Sequence, residues 1–170
     1  DSLLHGFSVG IGIAHGRAVA GQIGTDQQSK IGVFGPVVNQ GARLEGLTRQ
    51  FDVSICIDGP TAEFVDRYFS CSDGRLRPLA RVRPKGMVTP IDVFNLLPAE
   101  QNHSEVSQKM VTDHEVALEA VAAGEWDNAT RLLARLPNED GPKQFLVRQM
   151  EMYRNLPPSN WDGVFSLSGK

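Results

Sequence analysis

The sequence predicts an α+β fold followed by a small helical extension. Three observations predict it: apolar runs that read strand, helix, strand, helix; a set of extended segments after them; and purely helical periodicity beyond Leu97. Phe7 to Ile13 sets Val9, Ile11 and Ile13 on one side and Gly10 and Gly12 on the other, a strand whose glycine face admits a close backbone. Arg17 to Ile23 is a second extended piece between Gly16 and Gly24. Thr25 to Ser29 is a polar loop, and Ile31, Val33 and Phe34 mark a short strand. Gly35-Pro36 then opens a helix from about Val37 to Thr48, expected to bury Val38, Ala42, Leu44 and Leu47. Val53 to Ile57 is a buried strand and Asp58-Gly59-Pro60 a turn. Thr61 to Val65 opens a short helix capped by Thr61 or Asp58. From Tyr68 to Leu97, three extended runs form a meander with turns at Asp73-Gly74 and Lys85-Gly86.

Past Leu97 the character changes. The expected division is 1–98 for the α+β part, 99–104 for a polar linker and 105–170 for the extension. Val106, Met110, His114, Ala117 and Val121 recur at helical spacing until Gly124. Trp126, Ala129, Leu132, Leu133 and Leu136 mark a second helix ended by Pro137, and Asp140-Gly141-Pro142 reopens a third carrying Phe145, Leu146, Met150 and Tyr153. The stretch from Ala117 to Ala129 resembles the inner turn of one tetratricopeptide helix pair. One copy is too few for a solenoid, so a helical appendage docked on its own α+β part is the favoured reading. Pro157 to Val164 is a tail with Trp161 as an aromatic anchor.

With 170 residues, 41% hydrophobic and 22% charged, the chain is that of a soluble globular protein. The net charge of −3 predicts neither a nucleic-acid nor a membrane-surface partner. No apolar run reaches the ~18 residues that a bilayer crossing needs. Asp1 to His5 lacks the basic start and apolar run of a signal peptide. Cys56 and Cys71 have no metal-type spacing, and Cys56 sits in an apolar run, so a reduced thiol in a cytoplasmic setting is expected.

The chemistry concentrates on Asn39 and Arg43. Four residues apart on one helix, they place a carboxamide and a guanidinium side by side. An amide that bonds a sugar oxygen, one turn from a permanently charged fork that matches phosphate, suits a nucleotide. The bland alternative is a capping asparagine plus a solvated arginine paired with Glu45 or Asp52.

Three blocks in order lift the pair above that alternative: Val9 to Gly24, Phe34 to Glu45 and Arg83 to Phe94. Together they resemble the second half of a class III nucleotidyl cyclase catalytic domain, from about Val9 to Leu97. That family has a Gly-Ile-x-x-Gly strand end, a Val-x-Ala-Gly-x-Ile-Gly segment, a Val-Asn-x-Ala-x-Arg-Leu-Glu helix and a late Lys-Gly hairpin. The resemblance implies a partial cyclase homology domain of ferredoxin-like derivation. It also implies conversion of a nucleoside triphosphate, ATP favoured over GTP, to a 3′,5′-cyclic nucleotide and pyrophosphate in bacterial signalling. By the same resemblance Asn39 is the ribose-orienting residue and Arg43 the transition-state arginine, and Lys85 in the hairpin is a candidate for holding the terminal phosphates. It implies a homodimer with sites shared across the interface, and Gly10, Gly12 and the Ala18 to Gly24 segment offer a partner close backbone approach.

Three positions depart from the family. Met87 stands where the phosphate-binding lysine usually sits. Gly32, seven before Asn39, stands where an Asp or Thr usually reads the base and offers no side-chain donor or acceptor. The metal-binding aspartates belong to the family's first half, so Mg²⁺ or Mn²⁺ is expected in the intact enzyme with no ligand from this chain. His5 and His15 are no substitute, because hard cations prefer oxygen. The chain alone is therefore expected to be inactive. The alternatives are a silent cyclase-homology domain kept for dimerisation, or a protein-interaction module built on the C-terminal helices.

Arg75, Arg77, Arg81, Arg83 and Lys85 fall on odd positions, so one unbroken strand would line them on one face. A phosphate-facing ladder is one reading. A solvated face with Asp73 and Asp92 as counter-charges is favoured, because Pro78 invites a bulge that breaks the phase.

Overall fold

The structure, a computed structural model, describes residues 9–25, 28–102, 105–155 and 160–167. The expectations for His5, for Phe7 and for Pro157-Pro158 lie outside the described residues. The chain forms β1 (Ile11–Ile13), β2 (Val19–Thr25), β3 (Gln28–Phe34), α1 (Pro36–Phe51), β4 (Ile55–Asp58), α2 (Gly59–Tyr68), β5 (Arg75–Arg83) and β6 (Ile91–Leu97). After a single turn of 3₁₀-helix at Glu100–Asn102 come α3 (Gln108–Ala122), α4 (Trp126–Leu133), α5 (Gly141–Asn155) and β7 (Phe165–Ser166). One mixed sheet has the order β1-β4-β6-β5-β7, and β2 and β3 make a separate antiparallel hairpin. This is an α+β fold.

The two glycines of the first strand face inward. A Cβ on Gly12 would sit 2.2 Å from the Gly41 carbonyl oxygen and 2.3 Å from the Glu45 nitrogen, so the α1 backbone lies directly on β1. The glycine face is therefore filled by this chain's own helix and is not left open to a second subunit. The α1 helix runs three residues past its expected end and buries Leu44, Leu47, Thr48 and Phe51. Val38 and Ala42 are exposed, contrary to expectation, because nothing among the described residues covers that side of the helix. The hairpin is longer than expected too: the ladder runs from Val19↔Phe34 to Thr25↔Gln28, so Thr25, Gln28 and Ser29, expected in the loop, are strand residues.

The expected three-run meander is two strands. The α2 helix continues to Tyr68, a turn held by Asp73 on Ser70 follows, and only β5 and β6 pair. Asp58, not Thr61, caps α2, accepting from the Thr61 N–H at 2.9 Å. Within β5 the register shifts between Pro78 and Ala80, where the ring nitrogen of proline supplies no ladder donor. One extra residue reverses the alternation. Arg75 and Arg77 share the buried face with Ala80 and Val82, whereas Arg81 turns to the exposed face and pairs with Asp92 at 3.6 Å. The basic row is neither a ladder nor a uniformly solvated face: two of its five members, Arg75 and Arg77, are buried.

Helices α1, α3, α4 and α5 cover that buried face in one core with Cys56, Val82, Val93 and Phe165, while α2 lies against the other face of β4 and β6. Burial pushes the Cys56 thiol up to about 12, leaving it inert, and Cys71 is exposed. Helical extension and sheet are joined by a buried ion pair. Both terminal nitrogens of Arg77 reach the two carboxylate oxygens of Asp140, at 2.8 and 2.7 Å, with side-chain exposures of 1% and 5%. His114 lies in the same pocket, fully buried, and neither ring nitrogen makes a hydrogen bond of ordinary geometry. An aromatic seam runs from Phe51 through Phe145 and Phe165 to Tyr153, Trp161 and Trp126. It ends with Trp161 donating its indole N–H to the Val121 carbonyl at 2.9 Å. The tail that follows adds β7, a strand that no sequence signal announced, parallel to β5.

Candidate active site

Gly35 and Pro36 start α1 as the sequence dictates, glycine capping and proline in the first turn. One turn in, Asn39 is exposed, and its amide makes no hydrogen bond among the described residues. Arg43, one further turn along, is partly exposed. It has no carboxylate partner among the described residues: Glu45 pairs with Arg49 instead, at 3.4 Å. Its Nη1 donates to the backbone carbonyl of Lys85 at 2.5 Å, across 42 positions of sequence.

The acceptor belongs to a tight turn. Met87 N–H closes it on the Pro84 carbonyl at 3.0 Å, and Gly86 takes a φ of 79° at its third position. Pro84 is buried and Met87 packs against the core, so the turn is braced at both ends while Lys85 and Gly86 stand exposed. Arg83, just before it, donates to the Val88 carbonyl at 3.2 Å and to Ser166 Oγ at 3.2 Å. Thus the structure brings Asn39, Arg43 and the Lys85 turn to one exposed face. Gly32 is elsewhere, in mid-hairpin opposite Gly21. The Phe34 ring comes within 2.7 Å of where its Cβ would be, so the ring occupies the place of a side chain.

A second anchor of α1 was missed by sequence reasoning. Asp58 is 1% exposed, accepts from the Gln40 amide at 2.7 Å and from the His15 backbone N–H at 3.3 Å, and caps α2 through Thr61. One buried carboxylate with this many donors is a rigid joint between α1, α2 and the segment after β1. Its partners lie 18 and 43 positions away, and nothing in the local pattern around Asp58 marks them.

The same engagement bears on metal binding. Asp58 has its oxygens filled by protein donors, and among the described residues no three His, Cys, Asp or Glu side chains converge to hold an ion. Among the described residues, no helix is long and apolar enough to cross a membrane.

No family model matches the chain. It is 28% identical over 92 residues to adenylate cyclase 1 of Rhizobium meliloti, covering 54% of this chain and 13% of that protein. It is 36% identical over 91 residues to an adenylate cyclase of Anabaena cylindrica, covering 52% of this chain and 17% of that one. The chain thus spans less than a fifth of the curated relatives it matches. Among solved structures, a bacterial light-regulated adenylyl cyclase aligns with a TM-score of 0.42 and 19% identity, over 59% of this chain and 48% of that one. The two curated relatives thus support the resemblance to class III cyclases over about half of the chain.

Proposed function

We propose that this chain supplies the ribose- and phosphate-orienting side of an adenylyl cyclase site. The reaction joins the 3′-oxygen of ATP to its α-phosphorus, breaks the bond to the β-phosphate bridging oxygen and releases pyrophosphate, the hydroxyl proton leaving to solvent or a base. Asn39 holds a ribose oxygen so that the 3′-hydroxyl stays in line. Arg43 places its fork on the α-phosphate, where negative charge shifts as the new bond forms. Lys85, exposed at the neighbouring turn, meets the terminal phosphates. The observation that carries the reading is the Arg43 to Lys85 hydrogen bond, which unites two motifs 42 positions apart on one open face.

Base selection comes from backbone, water or another part of the site, since Gly32 bears no side chain and the Phe34 ring fills its place. The ligands of the Mg²⁺ or Mn²⁺ such chemistry uses come from outside the described residues, so the 170-residue chain by itself turns over neither ATP nor GTP. A homodimer supplies the opposite wall, one protomer's Asn39 and Arg43 facing the partner's metal-holding side, in a cytoplasmic setting.

The test is complementation in a longer protein that carries the metal-binding aspartates. One protomer lacks those aspartates and the other carries Arg43→Ala. Each alone is inactive, and the mixture regains cyclic nucleotide synthesis at one site per heterodimer, assayed with ATP and with GTP. Silence of the mixture while mixed dimers demonstrably form sinks the reading and leaves a non-catalytic cyclase-like domain.

A further inference from the structure

We propose that the Lys85–Gly86 peptide is the positioning element of this face, aiming Arg43 through the Lys85 carbonyl and not through its ammonium. In a four-residue turn the orientation of the central peptide is set by the third residue. A positive φ there turns the central carbonyl over relative to the commoner turn with negative φ. Here the third residue is Gly86 at φ 79°, and Lys85 has no positive φ, which makes Pro84 to Met87 a turn of the second type. The central carbonyl is that of Lys85, the group to which Arg43 donates. Glycine also leaves room: a Cβ at Gly86 would stand 3.6 Å from Arg43 Nη2, in ordinary contact. What glycine supplies is therefore the sign of φ, and with it the direction of one carbonyl.

Arg43 has no other fixed partner among the described residues, so this single acceptor decides where its fork points. A neutral carbonyl suits that task, since it orients the guanidinium while leaving the charge uncompensated and Nη2 free for an anion. A carboxylate in its place would orient and neutralise at once. The Lys85 side chain, on the same residue, stays free to act separately.

The importance for catalysis rests on the cyclase reading above; the positioning does not, and the two are tested apart. The first readout uses the 170-residue chain alone: nitrogen-15 spectra of the arginine guanidinium, with the Arg43 signals identified by their loss in Arg43→Lys. Wild type should show slowed rotation and separate Nη signals. Lys85→Ala, which keeps the carbonyl, should leave them unchanged. Gly86→Ala should collapse them to one averaged signal, and Gly86→Asn, which tolerates positive φ, should restore the separation. Averaged Arg43 signals in wild type, or collapse in Lys85→Ala, overturn the proposal. The Asn variant and the backbone amide spectrum separate a turned peptide from a failure to fold. The second readout is activity in the complemented dimer. Gly86→Ala should lower kcat about 10²-fold, the usual cost of misplacing a reacting group by an ångström. Lys85→Ala should act mainly on KM for ATP. Separate signals without any activity would leave the positioning standing and remove the cyclase reading.

Discussion

Arg77 and Arg43 are the same residue in opposite circumstances. Arg77 is 1% exposed, held two-pronged by Asp140 between sheet and helical extension, with its charge matched inside the protein. Arg43 is partly exposed, held by one neutral carbonyl, with its charge unmatched among the described residues. The first arrangement commits both terminal nitrogens and the charge of the guanidinium to a partner inside the protein. The second does not. Arg77 is buried where the helical extension meets the sheet; Arg43 lies on an open face, with Val38 and Asn39 exposed on the same helix. A charged side chain that contributes to stability and one that is available to a substrate are thus told apart by their partner, not by their identity.

The sharpest way to break this comparison is at the closed end. Asp140→Ala should lower the unfolding free energy by about 3–5 kcal/mol, the cost of stranding one member of a buried ion pair. The pair replacement Arg77→Met with Asp140→Leu should recover most of the loss in urea titrations, because two apolar groups need no partner. Next in size is Gly12→Ala. Its methyl would meet the α1 backbone at 2.2 Å, and overpacking against backbone should cost about 1–3 kcal/mol, seen as a lower melting temperature.

The third test uses pH. Burial, reinforced by the charge of Arg77, pushes His114 down to about 3 from an ordinary 6.5. Asp140 is also shifted down, for another reason: burial favours its neutral form, but the hydrogen bonds and charge of Arg77 outweigh this and hold its carboxyl below the usual range. The unfolded chain takes up a proton on His114 near 6.5 while the folded chain does so only near 3. Stability is therefore whole above pH 6.5 and declines as pH falls through that window, by at most about 1.4 kcal/mol per pH unit. Asp140 adds a loss only below the ordinary carboxylate range. His114→Gln should flatten the decline between pH 6.5 and 4, and an unchanged slope would remove the buried histidine as its cause. Smallest of all, Arg43→Ala should leave stability within about 0.5 kcal/mol of wild type. A large loss there would show that Arg43 is structural and collapse the contrast with Arg77.

What was legible in the sequence follows the range over which each feature is encoded. The Gly-Pro start of α1, the i, i+4 spacing of Asn39 and Arg43 and the periodicity of α3 to α5 are local, and the structure shows those elements within a few residues. The break in the arginine row was legible from Pro78, although burial of Arg75 and Arg77 was not, because Arg77 is held by an extension docking about 60 positions later and Arg75 by the Pro98 carbonyl 23 positions away. Val38 and Ala42 were misjudged for a related reason: periodicity says that a helix has an apolar side, not what covers it. The Asp58 joint and the Lys85 carbonyl acceptor share that limit. A backbone acceptor has no letter in the sequence at all.

The parallel pairing of β7 with β5 carries a consequence for the order in which the molecule is assembled. Val82 pairs with Phe165 and Arg83 with Ser166, so the last strand of the sheet arrives 83 positions after the strand it joins. At a synthesis rate of about 5–20 residues per second, β5 waits on the order of ten seconds for its neighbour. During that interval its outer edge presents unpaired N–H and C=O groups, the kind of edge that recruits other chains. Closing so long a loop is slow as well as late, since its entropy is lost before the two-residue strand returns anything. The aromatic residues just before and within β7, Trp161 and Phe165, shorten the wait once they emerge by seating the tail against Tyr153 and Phe145. Chains ending before Trp161 would keep that edge open for good, and their self-association in sedimentation would record it.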